Sequence, residues 1–267
     1  MRHAFRSELI RVWRPSFLLG GIGVTAGFAA LVSIFIITSA TTAPVATAPG
    51  MRRGPGAYTV AEIASPGGFL TALATVSSLA GVVLLALWAI AMATDYSTGL
   101  VRILVQAQPR RVQLLTGKIL ALAVFTVFAA AVTTLVIVVA ARPLARLEGI
   151  PVAGWKTDFV SHLLKGYFDF TVAVLVWGLL GLMLAVLTRS SAIAIGVGIG
   201  FLLVVESLIA IVAPGATSYL PGGTLNTLAS GGNDQLSWGA ALGLAVAYGT
   251  AATTISLLTF RARDITS

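Results

Sequence analysis

Residues 119–141 read ILALAVFTVFAAAVTTLVIVVAA, a run of aliphatic, aromatic and small residues that contains no charged side chain. The run exceeds the roughly 20 residues that cross a bilayer as a helix, so it predicts a membrane-spanning helix. Five further stretches share this pattern, and only Glu206 interrupts one of them. We therefore expect an all-α integral membrane protein, a single domain with six transmembrane helices. The expected spans cover about residues 17–39, 69–93, 119–141, 170–188, 190–213 and 236–260.

The composition of the 267-residue chain agrees with a membrane protein. Hydrophobic residues make up 57% of the chain, charged residues make up 10%, and the mean hydropathy is +0.97. Soluble proteins carry about 25% charged residues, so this chain has too few to cover a water-facing surface. The net charge of +8 lies between apolar stretches, so we expect it to meet anionic lipid headgroups and not nucleic acid. The chain has no cysteine, which excludes disulfides and Cys-based metal sites.

The basic residues are distributed unequally between the two sides of the predicted bundle. The N-terminal tail, the connection after the second span, Arg189 and the C-terminal tail hold eleven of the 17 Lys and Arg residues. The connections on the other side hold the remaining six. Because Lys and Arg accumulate in cytoplasmic connections, both termini are predicted to be cytoplasmic.

The N-terminal tail, residues 1–16, is predicted to form a short helix that lies in the inner membrane interface. Its apolar face is formed by Phe5, Leu9, Val12 and Trp13. Glu8, Arg11 and Arg14 are expected to point away from that face. A cationic amphipathic segment with a tryptophan is typical of an interfacial helix. The basic residues also fit a simpler interpretation, in which they only orient the chain in the membrane.

The connection between the second and third spans, residues 95–118, is the most informative segment. After Gly99, four apolar residues fall on one face of about two helical turns: Leu100, Ile103, Leu104 and Ala107. Pro109 ends this helix, and Arg110 and Arg111 begin the helix of the third span. A short helix on the cytoplasmic side can bury its apolar face only against its own bundle or against another protein.

This connection resembles the first cytoplasmic loop of type-2 ATP-binding-cassette (ABC) transporter permeases. The shared order is an acidic residue with small residues and a Gly (95–99), a short apolar helix, Pro-Arg-Arg (109–111), Leu-Leu (114–115) and Gly-Lys (117–118). The N-terminal tail resembles the interfacial helix of that family, and residues 206–221 and 238–264 resemble its last two spans. Two positions depart from the family pattern, because Asp95 replaces a usual Glu and Arg11 replaces a common Lys.

The resemblance implies a six-span permease subunit of an exporter in the bacterial plasma membrane. ATP and Mg would bind a separate ATP-binding subunit, so this chain would bind no cofactor and would not be an enzyme. A second permease chain, identical or different, would complete the pathway as a dimer. The helix at residues 99–108 would be the coupling helix, and the interfacial helix would help to seat the ATPase. The residues assigned to coupling are Gly99, Leu100, Ile103, Leu104, Ala107, Pro109, Arg110 and Arg111. Those assigned to the interfacial helix are Glu8, Arg11, Trp13 and Arg14.

No nucleotide-binding or catalytic motif appears in the sequence. The nearest approach to a phosphate-binding loop is GIPVAGWKT at residues 149–157. Trp155 displaces its lysine, and Pro151 removes a backbone donor that such a loop needs. The sequence also offers no metal site, so hydrolysis or metal chemistry by this chain is not expected.

Glu206 is the one ionisable residue inside a predicted span, which suggests function by default. It follows Ser190 by 16 residues, or about 24 Å along a helix, near the outer boundary of a roughly 30 Å core. Two interpretations stay open. The carboxylate either reaches exterior water or caps the segment that follows it, or it lines a possible pathway for substrate.

Two other functional classes fit a six-span protein. A self-contained secondary transporter or channel would show a charge at mid-membrane, or broken helices in two related halves, and neither is evident. A non-transporting membrane anchor for a soluble complex also remains compatible with the sequence.

Overall fold

The computed structural model describes residues 2–42, 58–100, 103 and 111–262. Helices dominate these ranges, and no β-strand forms within them. The helices are α1 (Arg2–Val12), α2 (Pro15–Leu18), α3 (Val24–Thr38), α4 (Val60–Ala64), α5 (Thr71–Ser97), α6 (Arg111–Leu147), α7 (Phe159–Thr188), α8 (Ser191–Gly200), α9 (Glu206–Val212), α10 (Pro221–Ala229) and α11 (Trp238–Ala262). Two π-helical segments, Leu19–Gly23 and Phe201–Val205, join α2 to α3 and α8 to α9.

Among the described residues, six helical segments are long and apolar enough to cross a membrane. They are Leu19–Thr38, Gly68–Ser97, Val112–Leu147, Phe159–Thr188, Ser191–Val212 and Trp238–Ala262. The expectation of an all-α protein with six such helices is therefore confirmed. These segments indicate a multi-pass membrane protein.

Several helices continue beyond the apolar runs in the sequence. The apolar run at residues 119–141 lies within α6, which continues through Arg142 and Pro143 to Leu147. The length of an apolar run reflects the thickness of the bilayer, whereas a helix ends where the backbone changes direction. After α6 that change occurs at Gly149, whose φ of +69° lies in the left-handed region.

Consecutive spans alternate in direction, so the connections divide between two ends of the bundle. We call one of these the amino-terminal end. It carries α1, the connection between α5 and α6, and the turn between α7 and α8. In that turn Arg189 has a left-handed φ of 56°. The Ser190 side chain then accepts a hydrogen bond from the Ile193 N–H and caps α8.

The centre of the bundle is the contact between α5 and α7, where glycines and tryptophans interlock. A Cβ atom placed on Gly81 would lie 2.2 Å from the Trp177 ring, and one on Gly178 would lie 2.6 Å from the Trp88 ring. Trp88 is fully buried and donates from Nε1 to the Thr126 hydroxyl on α6 at 3.0 Å. Small residues thus let the backbones of α5 and α7 approach closely, as in other membrane bundles.

The fifth span lies at the edge of this bundle. In the most apolar 18-residue stretch of Ser191–Val212, only 17% is buried, whereas 61% of the corresponding stretch of Phe159–Thr188 is buried. Its outward residues include Leu203 and Val212, both large, apolar and exposed. This surface is free to meet lipid or another chain.

Candidate functional site

Four charged side chains form a closed ring at the amino-terminal end of the bundle. The Lys118 Nζ lies 3.0 Å from Glu8 Oε2 and 2.7 Å from Asp95 Oδ2. An Arg11 guanidinium nitrogen lies 3.2 Å from Glu8 Oε1 and 3.6 Å from Asp95 Oδ1. Each carboxylate therefore contacts both cations, one through each oxygen. We call Glu8, Arg11, Asp95 and Lys118 the charge ring.

The charge ring is largely shielded from solvent. Glu8 and Lys118 are each 6% exposed and Asp95 is 8% exposed, while the Arg11 side chain is 33% exposed. Buried charges are tolerated only when they are paired and hydrogen-bonded. Two positive and two negative groups alternate around the ring, so its formal charge sums to zero and each burial cost is offset by two partners.

Three separate elements bring these side chains together. Glu8 and Arg11 are three residues apart on α1, so they share one face of that helix. Asp95 lies in the last turn of α5, and Lys118 lies about two turns into α6. The two helices flank the connection at residues 98–110. The charge ring thus ties α1 to both sides of that connection.

The position of Glu8 corrects the sequence-based prediction for α1. Glu8 was expected to point away from the apolar face, but it is buried together with Val12. The local periodicity of α1 is misleading because the partner of Glu8 is Lys118, which lies 110 residues later in the chain. Ile10, by contrast, is 66% exposed.

The other residues predicted for the interfacial helix lie where α1 meets the first span. Trp13 is 41% exposed, and its ring centroid lies 5.3 Å from that of Phe128 on α6. Arg14 is exposed. Its backbone carbonyl accepts from the N–H of Phe17 at 3.0 Å, which helps to turn the chain into the first span.

Most of the predicted coupling helix lies outside the described residues. Leu104, Ala107, Pro109 and Arg110 belong to that part of the chain. Gly99 follows α5 with a φ of +69°, Leu100 is partly buried, and Ile103 is 61% exposed. Arg111 is the first residue of α6. Within the connection, the structure therefore describes only residues 98–100 and 103.

Asp95 and Lys118 both belong to the sequence motif of this connection, but the motif does not predict that they pair. A signal for it exists in the sequence. Asp95 is the first charge after the apolar stretch of the second span, and Lys118 is the last charge before the third. Opposite charges at the adjacent ends of two antiparallel spans face the same membrane boundary, so they can meet there.

Glu206 lies far from the charge ring in the fold, at the opposite end of the bundle. It is 5% exposed, and its Oε1 accepts the N–H of Gly222 at 2.7 Å. Gly222 lies in the first turn of α10. Of the two interpretations from the sequence, this geometry corresponds to a carboxylate that caps the segment following the fifth span.

The described residues contain no group of three or more His, Asp and Glu side chains that could hold a metal ion. The charge ring itself pairs its two carboxylates with cations of the chain. Its ion pairs hold α1, α5 and α6 together.

The comparisons with known proteins place the chain in a family. None of the curated proteins matches it. A family model matches residues 23–266, which is nearly the whole chain, and the description of that family is "Protein of unknown function (DUF2705)". The matched region begins after α1 and includes both Asp95 and Lys118. The chain therefore belongs to the DUF2705 family.

Proposed function

We propose that this chain is the membrane-spanning permease subunit of an ATP-driven ABC exporter. In this proposal it forms the translocation pathway with a second permease chain, and a separate ATP-binding subunit acts on the connection at residues 98–110. The observation that carries the proposal is the charge ring, since it joins α1 to the two helices that flank this connection.

In this proposal the charge ring transmits a force on the connection to the helices around it. Asp95 and Lys118 lie on the two flanks of the connection. Each pairs with an opposite charge on α1, Asp95 with Arg11 and Lys118 with Glu8. Removing one partner of a buried ion pair typically costs about 3–5 kcal/mol, because it leaves an uncompensated buried charge. In this proposal the ends of α5 and α6 are therefore expected to move together with α1. A push on the connection would reach the first, second and third spans.

The charge distribution supports a cytoplasmic location for the ring. The amino-terminal end of the bundle carries most of the Lys and Arg residues, as cytoplasmic surfaces of membrane proteins do. ATP is available on that side. Both termini would then be cytoplasmic, and α1 would lie at the inner interface beside the ATPase.

The fifth span offers a surface for the second permease chain. It is the least buried of the six membrane-length segments in the described chain. Gly196 and Gly200 on α8 have no atom within 4 Å of an added Cβ, so they leave space for close approach by another helix.

Co-purification is the first test of this function. Mild detergent extraction of the tagged chain should recover a cytoplasmic ATP-binding protein. Recovery of the chain alone, with transport driven by an ion gradient in proteoliposomes, would instead support a self-contained secondary transporter or channel. Recovery of a soluble complex without ATPase activity would support a membrane anchor.

A substitution in the connection tests coupling. Leu104→Asp should leave ATP binding by the partner intact, but the permease should no longer change the partner's rate of ATP hydrolysis. Leu147→Asp is a matched control, because Leu147 is 82% exposed at the opposite end of the bundle. If Leu104→Asp behaves like Leu147→Asp, the coupling assignment is wrong.

A further inference from the structure

The chain between the fifth and sixth spans returns into the bundle at the end opposite the charge ring. Its helix α10 packs against α5, α7 and α11. Leu225 and Leu228 of α10 are 1% and 0% exposed. On the α5 side, the Ser77 hydroxyl donates to the Asn226 side-chain oxygen at 3.4 Å. The helix α10 therefore fills this end of the bundle between three spans.

The first turn of α10 has no cap from its own neighbourhood. Leu220 precedes the helix and provides no side-chain acceptor, and Pro221 has no N–H to donate. The Glu206 carboxylate supplies the acceptor instead, through the N–H of Gly222. A negative charge at this position also interacts favourably with the helix dipole. Glu206 thus holds the beginning of α10.

The segment that α10 belongs to is held by close contacts within it and by a hydrogen bond from α11. A Cβ atom on Gly223 would lie 1.8 Å from the Thr217 carbonyl oxygen, which requires glycine at this close approach. The Thr224 hydroxyl donates to the Ser218 carbonyl at 2.9 Å. The Tyr248 hydroxyl of α11 donates to the Tyr219 carbonyl.

The π-helical segment Phe201–Val205 is what directs Glu206 into the bundle. Ala194, Gly198, Leu202 and Glu206 are all buried at intervals of four residues, whereas Leu203 is 63% exposed. In a regular α-helix, each step of four residues overshoots a full turn by about 40°, so such a row drifts away from one face. A π-turn takes up one more residue and corrects this drift.

We propose that Glu206 is a latch that holds α10 in the closed end of the bundle, and that the π-helical segment sets this latch. Rotation of α9 would withdraw the carboxylate from Gly222. The helix α10 would then leave its site between α5, α7 and α11, and this end of the bundle would open. The latch is independent of any coupling to an ATPase, so it goes beyond the proposed function and can be tested without a partner.

The absence of cysteine in the native chain makes thiol labelling a direct test. Leu225→Cys places a single thiol on the buried face of α10, and its rate of reaction with a maleimide in purified full-length protein reports the unseating of that helix. Glu206→Gln keeps the shape of the side chain without its charge, and Glu206→Ala removes the acceptor. Glu206→Ala loses a hydrogen bond to a charged group and should raise the labelling rate by about ten- to hundredfold. Glu206→Gln loses the charge but keeps an acceptor oxygen, so it should raise the rate by less, and still above that of the parent Leu225→Cys protein.

Two comparisons make the result decisive. Ser207→Ala, at the exposed neighbouring position, should leave the rate unchanged. A thiol at Leu122→Cys, in the fully buried part of α6, should stay protected in every variant.

Unchanged labelling of Leu225→Cys in both Glu206 variants would overturn the proposal. An equal rise at Leu122→Cys would overturn it as well, because Glu206 would then stabilise the bundle as a whole and not α10 in particular. The Glu206→Gln variant retains an acceptor oxygen and bulk, so it provides a reading even if Glu206→Ala does not fold.

Discussion

Replacing Lys118 by methionine is the most informative perturbation of the charge ring. Methionine keeps most of the length of the lysine side chain but removes its ammonium group. Glu8 Oε2 and Asp95 Oδ2 then lose the cation that lies 3.0 Å and 2.7 Å from them. The two carboxylates stay in a shielded site, where Arg11 is their remaining partner within the described chain, at 3.2 Å and 3.6 Å.

The expected cost follows from this geometry. Removing one partner of a buried ion pair costs about 3–5 kcal/mol. Arg11 is only partly buried and still reaches both carboxylates, so we expect the lower end, about 3 kcal/mol. For a protein of this size, each kcal/mol shifts the midpoint of thermal unfolding by about 2–4 °C, so the expected decrease is about 6–12 °C.

The assay is thermal unfolding in one detergent at one scan rate, because unfolding of such proteins is commonly irreversible and the midpoint depends on the rate. Lys156→Met is the matched control, since Lys156 is exposed in the connection at the opposite end. An exposed substitution of this kind should change stability by no more than about 0.5 kcal/mol.

A double-mutant cycle separates pairing from general damage. Glu8→Gln combined with Lys118→Met should lower the unfolding midpoint by less than the sum of the two single decreases, with a difference of at least about 2 °C, which corresponds to about 1 kcal/mol of coupling. A Lys118→Met midpoint that matches that of Lys156→Met would refute the reasoning. Strict additivity of the Glu8 and Lys118 changes would refute it too.

Two further predictions concern the packing of the spans. A Cβ on Gly181 would lie 2.2 Å from the Leu85 carbonyl oxygen, so Gly181→Ala should lower the free energy of unfolding by about 1–3 kcal/mol; Gly196→Ala, which meets open space, should not, and equal effects on the unfolding midpoint would contradict the close contact of α5 and α7. Trp88→Phe removes the donor to the Thr126 hydroxyl and should cost at least about 1 kcal/mol, measured by the same unfolding assay, and no loss would show that this hydrogen bond is energetically neutral.

The six membrane-length helices could be predicted from the sequence because their signal is local. A run such as residues 119–141 excludes charge over the thickness of a bilayer, and this property needs no knowledge of neighbouring helices. The ends of the helices could not be predicted in this way. Arg142 and Arg146 end the apolar run of the third span, but they do not break the helix, which continues beyond them to Leu147.

The charge ring could not be predicted from helical periodicity. Periodicity assumes that a charged residue on an amphipathic helix faces water, and this assumption placed Glu8 on the wrong side. Its burial depends on Lys118, a contact between residues far apart in the sequence. The charges at the ends of the second and third spans did carry a signal, but α1 had to be docked before that signal could identify Glu8 as the third member.

The setting of Glu206 depends on a feature with no sequence signature. Residues 201–205 read FLLVV, which fits an α-helix as well as a π-helix. Depth alone indicated that Glu206 lies near the end of the fifth span. Its contact with Gly222 follows from the π-turn and from the return of α10, and both are products of tertiary packing.

The central claim is that the connection between α5 and α6 contacts a different polypeptide. Leu104→Cys gives the chain a single thiol in this connection, so a photoactivatable maleimide attached there in intact cells reports what lies beside it. The account predicts a covalent adduct with an ATP-binding protein, and no such adduct from Leu147→Cys at the opposite end. An adduct confined to this chain, or to lipid, would contradict the account.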